Sequence, residues 1–146
     1  MSAPSSRKDQ PYALMFAEWV KEHCSSIHSL STLLMESSEE AENLTIQTFT
    51  ELYTYGQQNE WQPILAYQCC IRRWLASLHP SQQFKKKLSP EDTLLCALWY
   101  GLKLPLPEIS TILEKDVPVL KAQLRAIREQ MSGESSKLSY RYNSPA

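Results

Sequence analysis

Apolar residues recur at helical spacing along almost the whole chain, and this pattern limits the possible folds more than any other feature of the sequence. One such line consists of Trp19, Val20, Ile27, Leu30 and Leu34, and a second consists of Ile64, Leu65, Ile71, Leu75 and Leu78. The alternating pattern of β-strands is almost absent. The sequence therefore predicts an all-α fold built from amphipathic helices.

Capping residues indicate where several of these helices begin and end. Ser38 can cap a helix that starts near Glu39, with acidic residues in its first turn as the helix dipole prefers. The run SPED, with Ser89 as cap and a proline in the first turn, starts another helix, and Gly101 fits its end. Asp116 can cap the last helix, whose inward line is predicted to be Leu120, Leu124, Ile127 and Met131.

The order of these elements predicts two small helical domains. The chain has 146 residues, which suits one domain or two very small ones. Residues 11–78 form the first predicted domain and residues 89–131 the second, and the linker at 79–88 is rich in amides and lysines. The polar ends, residues 1–10 and 132–146, are predicted to be a disordered segment and a flexible tail.

Composition argues against several classes of protein. No apolar run approaches the about 20 residues that cross a bilayer, and the polar N-terminus lacks a secretory signal, so we expect a cytoplasmic protein without a membrane span. The cysteines form no C-x-x-C motif and suit buried positions. His23, Cys24 and His28 match no zinc pattern. We expect no metal and no cofactor.

Charge is divided unevenly along the chain. Residues 11–78 contain eight acidic and three basic side chains, a balance of −5, whereas residues 85–131 contain eight basic and six acidic, a balance of +2. The first part is too acidic for a general nucleic-acid surface. No glycine-rich phosphate loop and no pair of carboxylates near a histidine is present, so the sequence predicts no catalytic residues and no enzyme.

The second half carries a family pattern. The stretch LSPEDTLLCALWYGLKLPLPEISTILEKDVPVLKAQLRAIREQM resembles region four of bacterial sigma factors, most closely the extracytoplasmic-function group. The matching positions are Gly101, Glu108-Ile109-Ser110, Lys121, Leu124 and Arg128. The resemblance implies three helices that end in a helix-turn-helix.

A second pattern of the same family precedes it. AENLTIQTFTELY, residues 41–53, resembles a region-two helix at Ala41, Glu42, Leu44, Gln47 and Phe49, with Tyr53 at its aromatic end. The following helix is similar at Trp61, Leu65-Ala66 and Gln68. The two patterns occur in the family's order and together cover roughly residues 12–131.

The resemblance implies a transcription initiation factor whose partners are core RNA polymerase, promoter DNA and possibly an anti-sigma factor. The region-two helix would bind the clamp helices of the largest polymerase subunit through Glu42, Asn43, Gln47 and Glu51. The −10 element would be contacted by Trp61, Gln68, Arg72 and Arg73. The last helix would enter the major groove of the −35 element, near the polymerase flap, through Pro118, Lys121, Ala122, Arg125 and Arg128.

Side-chain chemistry agrees with these assignments but leaves alternatives open. Trp61 could stack on unpaired bases or fill the core, whereas Trp74 is predicted to be a core residue. The family's acidic residue is Asn43 here, its asparagine is Gln68, an aspartate is Arg72, and its Gly-Thr is Pro118-Val119. Two arginines of the recognition helix are Gln123 and Ala126. The alternatives are a sigma-like interaction protein without effective promoter reading and a stand-alone helix-turn-helix regulator.

Overall fold

The computed structural model describes residues 3–55, 61–78 and 88–143, and side chains within 12–54, 61–78 and 88–132. Its helices are α1 (Ala3–Leu34), α2 (Ser38–Tyr55), α3 (Pro63–Ser77), α4 (Pro90–Cys96), α5 (Leu106–Leu113) and α6 (Val117–Asn143), and a π-helical turn (Ala97–Gly101) follows α4. The described residues contain no strand. The predicted all-α fold is confirmed.

Helices α1, α2 and α3 pack on one another around buried apolar side chains. Ile27, Leu30 and Leu34 of α1 are buried as predicted, opposite Leu44 and Phe49 of α2. Trp74 of α3 is also buried, and its indole nitrogen donates to the Leu34 carbonyl oxygen at 3.1 Å. This bond satisfies the indole N–H and a carbonyl at the end of α1, where helical partners run out.

Local capping explains the starts of α2 and α4. The hydroxyl of Ser37, one residue before the predicted cap, accepts the backbone N–H of Glu40 at 3.1 Å. Ser89 caps α4 as predicted, since its hydroxyl accepts the backbone N–H of Asp92 at 3.1 Å. At the end of the following π-helical turn, Gly101 leaves room for the side chain of Leu33 from α1, which a Cβ at position 101 would displace.

Helices α5 and α6 are consecutive and are joined by a short turn at residues 114–116. Glu114 ends α5 in the left-handed region, with φ 55°, a conformation that glycine adopts more easily. The Ser110 hydroxyl donates to the Lys115 carbonyl oxygen at 2.5 Å and fixes the turn. Leu120, Leu124 and Ile127 of α6 are buried as predicted.

The two groups of helices, α1–α3 and α4–α6, share one buried apolar cluster. The contacts between the groups run from α3 to α5 and from α1 to the π-helical turn. The predicted linker lies almost wholly outside the described residues, and the division into two domains stays a prediction.

Several boundaries and core positions differ from the sequence predictions. Helix α1 includes residues 3–10, and α6 continues through residues 132–143. Both helices extend beyond the apolar residues whose spacing predicted them. Leu65, Leu75 and Met131 are exposed rather than buried. Helix α3 instead turns Ala66 and Cys70 inward, together with the large side chains of Tyr67, Ile71 and Trp74. Of the helices described, none has the length and apolar character to cross a membrane.

Candidate functional site

The outward face of α2 carries three of the four residues predicted to bind polymerase. Glu42, Asn43 and Gln47 are exposed, and Leu44 and Phe49 point into the core from the opposite side of the same helix. The side chains at positions 43 and 47 lie one helical turn apart and can contact one partner surface together. This face is available for binding.

Two hydroxyl groups of α2, those of Thr45 and Thr48, do not lie on that outward face. Thr45 and Thr48 are buried, and their hydroxyls donate to the carbonyl oxygens of Ala41 and Leu44 at 2.8 and 2.7 Å. The Thr45 hydroxyl oxygen also lies at hydrogen-bond distance, 3.0 Å, from the buried hydroxyl of Ser31. Much of the polarity of α2 is therefore satisfied inside the fold, which leaves the amides and Glu42 as outward binding groups.

Ile46 is a member of this surface that the sequence patterns did not single out. Its side chain is 56% exposed, between Glu42 and Asn43 on one turn and Gln47 and Thr50 on the next. An apolar centre inside a polar rim is the usual arrangement of a protein–protein interface. The sequence could have predicted the exposure of Ile46, since this residue falls outside the helical line of Leu44 and Phe49.

Glu51, the fourth predicted polymerase contact, turns toward α3 instead. Its carboxylate accepts a hydrogen bond from the Cys69 thiol and another, at 3.2 Å, from Nε of Arg73. The carboxylate also lies 4.0 Å from the Arg72 guanidinium. The Cys69 hydrogen bond and the arginine charges hold the pKa of Glu51 below its usual range, against the opposing effect of burial. Glu51 therefore does not lie on the outward face with Glu42, Asn43 and Gln47 in this structure, and its contact with polymerase stays a prediction.

The same cluster determines the state of the cysteine and the two arginines. Burial and the neighbouring carboxylate raise the pKa of Cys69 to about 12, so its thiol stays protonated and unreactive near neutral pH. Arg72 is 72% exposed and can reach a phosphate, whereas Arg73 is only half-exposed. Both predicted DNA contacts are therefore paired with an acid of the protein itself.

Trp61 lies in a cluster of aromatic rings rather than free in solvent. Its ring centroid is 5.0 Å from those of Tyr12 and Phe16 and 6.2 Å from that of Trp19. Trp61 remains half-buried, so an edge of this aromatic cluster reaches the surface. Tyr67, an aromatic residue of α3, is buried.

Gln68 joins the two groups of helices. Its side-chain amide donates to the carbonyl oxygens of Thr111 and Ile112, in the last turn of α5, at 3.2 and 3.3 Å. These carbonyls have no partner within a helix that ends at Leu113. The amide predicted to contact DNA is therefore engaged inside the chain in this conformation.

The outward face of α6 carries all five predicted DNA contacts of the helix-turn-helix. Pro118, Lys121, Ala122, Arg125 and Arg128 are exposed, and the cations follow one another at helical intervals of four and three residues. Gln123 turns away from this face and donates to the Asp92 carboxylate at 2.9 Å. The face therefore presents a basic line on a rigid helix.

The parts of the chain that the structure describes contain no group of three His, Cys, Asp or Glu side chains suited to a metal ion. Comparisons with protein-family models, with curated proteins and with solved structures found no match to this chain. The two surfaces and the sequence patterns that they carry are therefore the basis for inferring a function.

Proposed function

We propose that this chain is a small, divergent sigma factor of the extracytoplasmic-function type, which binds core RNA polymerase and directs transcription initiation at specific promoters. The observation that supports this most is the outward face of α2, where Glu42, Asn43 and Gln47 surround the exposed Ile46. These residues belong to the stretch whose sequence resembles the polymerase-binding helix of that family.

The face of α6 supports the DNA-binding part of the proposal. Lys121, Arg125 and Arg128 extend from a helix whose opposite side is held in the core by Leu120 and Leu124. Three phosphate contacts correspond to a salt dependence of about −3 in log affinity against log salt concentration. Such a helix binds DNA weakly alone, which suits a protein that reaches promoters as a subunit of polymerase.

Binding both promoter elements requires the two helix groups to separate. The −35 and −10 elements are centred about 25 base pairs apart, which is about 85 Å at 3.4 Å per base pair. A compact chain of this length has a radius of gyration of about 15 Å. On this proposal, the hydrogen bonds of Gln68 to α5 break when polymerase and DNA are bound, and the amide becomes free to contact the −10 element.

Polymerase binding can be tested with matched charge insertions. Ile46 and Met131 are equally exposed, at 56%, and lie on different helices. Ile46→Asp should weaken binding to core polymerase at least tenfold in a fluorescence-anisotropy titration, because a charge would replace the apolar centre. Met131→Asp should bind like the unmodified protein. Absence of binding by the unmodified protein would reject the sigma-factor proposal.

A second candidate function is a sigma-like interaction protein that binds polymerase or an anti-sigma partner without reading promoters. The pairing of Arg72 and Arg73 with Glu51 favours it, because a carboxylate of the fold offsets part of the positive charge of the −10-facing cations. Both candidates predict polymerase binding. Only the sigma factor predicts that core polymerase plus this protein starts transcripts at defined promoter positions.

A further inference from the structure

Two lines of exposed side chains run along α6 on different sides of its outward face. One is basic and contains Lys121, Arg125 and Arg128; the other is apolar and contains Val119, Ala122 and Ala126. All six side chains are exposed, and Val119 is 52% exposed although it is a β-branched apolar residue. An exposed apolar line and a basic line on one helix suit a partner that is both anionic and methyl-bearing.

The first two turns of this face have few groups that could read bases by hydrogen bonds. Pro118, Val119 and Ala122 carry no polar side-chain atom. Gln123 has the amide that could read adenine, but that amide donates to Asp92 on the protein's own α4. Its side chain is half-buried and directed away from the face. Lys121 is the one hydrogen-bond donor that remains exposed there.

Duplex DNA offers one apolar group in its major groove, the 5-methyl group of thymine. Alanine and other small apolar side chains contact this methyl, while neighbouring cations contact phosphate oxygens. The basic line of α6 provides the charge complementarity that selects DNA as the occupant of this face.

We propose that Val119 and Ala122 read thymine methyl groups, so that the upstream promoter element is recognised mainly through thymines and phosphates. The inference rests on the proposed function, because it names the sequence class that α6 reads. Burial of one methyl group against an apolar side chain corresponds to about a fourfold change in binding. Two contacted thymines would therefore change binding by about fifteenfold.

The test removes the methyl groups and nothing else. Promoters are first selected from random DNA by transcription with core polymerase and this protein, and the thymines of the upstream element are then replaced by deoxyuridine. The unmodified protein should lose about fourfold in initiation for each contacted thymine that is replaced. Val119→Ser should lose this sensitivity at one thymine position, and Ala122→Gly should reduce it at a neighbouring one.

Arg128→Ala provides the matched control, because it lies on the basic line of the same face. It should weaken initiation on thymine and deoxyuridine templates by the same factor. Equal initiation by the unmodified protein on both templates, or selected upstream elements without thymine, would overturn the inference and leave the proposed function intact. Absence of initiation on any template would overturn both.

Discussion

The cations of α3 and those of α6 occupy opposite electrostatic situations. Arg72 and Arg73 of α3 share the carboxylate of Glu51, which lies on the neighbouring α2. Lys121 and Arg125 of α6 are exposed, and each is followed in the sequence by an exposed alanine, Ala122 or Ala126. A cation that pairs with a carboxylate of the same chain contributes to stability. A cation that is exposed on the surface of a helix is available to bind phosphate. The arginines of α3 therefore belong to a structural cluster, and the cations of α6 form a binding surface. The sequence patterns predicted DNA contacts for both sets and did not distinguish them.

The largest expected effect comes from removing the basic line of α6. The triple variant Lys121→Ala, Arg125→Ala, Arg128→Ala should lose upstream-element dependence, and the salt slope of duplex binding should fall by about 3. Its free energy of unfolding, measured in urea, should stay within about 0.5 kcal/mol of that of the unmodified protein, because the three side chains are exposed. Filter binding across a salt series measures the slope, and an unchanged slope would remove the distinction between the two sets of cations.

A substitution of Glu51 on α2 tests whether the arginines of α3 contribute to stability. Glu51→Gln should destabilise the fold by about 1–2 kcal/mol, because Arg72, Arg73 and Cys69 lose a charged acceptor. Since the pKa of Glu51 is lowered in the fold, its contribution is complete above the pKa of the unfolded chain and is lost as the pH falls through the folded pKa. The variant should lack this acid-sensitive part of its unfolding free energy.

Glu42→Gln is the control for that experiment, because Glu42 lies on the same helix but is exposed. Its denaturant unfolding, measured from neutral to acidic pH, should follow that of the unmodified protein. Equal stability of the Glu51 and Glu42 variants would show that the α3 arginines are as free as those of α6.

A smaller effect is expected at the contact between the helix groups. Gln68→Ala removes two hydrogen bonds to the last turn of α5 and should reduce the free energy of unfolding by about 1 kcal/mol. Hydrogen exchange should speed up at amides of α5 and leave those of α2 unchanged. Unaltered exchange in α5 would show that Gln68 does not hold the two groups together.

The smallest effect is expected at the turn that sets the direction of α6. Glu114 has a φ of 55°, so Glu114→Gly should raise the free energy of unfolding by up to about 1 kcal/mol. Thr111→Gly, in the exposed part of α5, should lower it by a similar amount. Thermal unfolding measures both, and a destabilised Glu114→Gly variant would contradict the described turn.

Sequence alone predicted the helices well and the direction of individual side chains less well. The Ser89 cap and the buried Leu120 and Leu124 follow from local chemistry and spacing, and they are confirmed. Leu65 is predicted to face inward because it is large and apolar, yet the buried side of α3 is formed by other residues, among them Ala66, Tyr67 and Trp74. Packing between helices decides such choices, and local spacing does not contain it.

The candidate surfaces show the same limit. The outward positions of Gln47 and Lys121 follow from the apolar line on the other side of each helix. The inward turn of Glu51 depends on Arg73, which lies 22 residues away, and the position of Gln68 depends on carbonyls more than 40 residues away. Pairings across such separations have no local signature.

The most direct test of the central claim is in-vitro transcription from random-promoter DNA with core RNA polymerase, with and without this protein. A sigma factor should produce defined start sites only when the protein is present. Gln47→Ala should lose polymerase binding, and Lys121→Ala should keep polymerase binding while losing dependence on the upstream element. Gln130→Ala, an exposed glutamine on α6, should behave like the unmodified protein. No protein-dependent start site, despite intact polymerase, would contradict the claim.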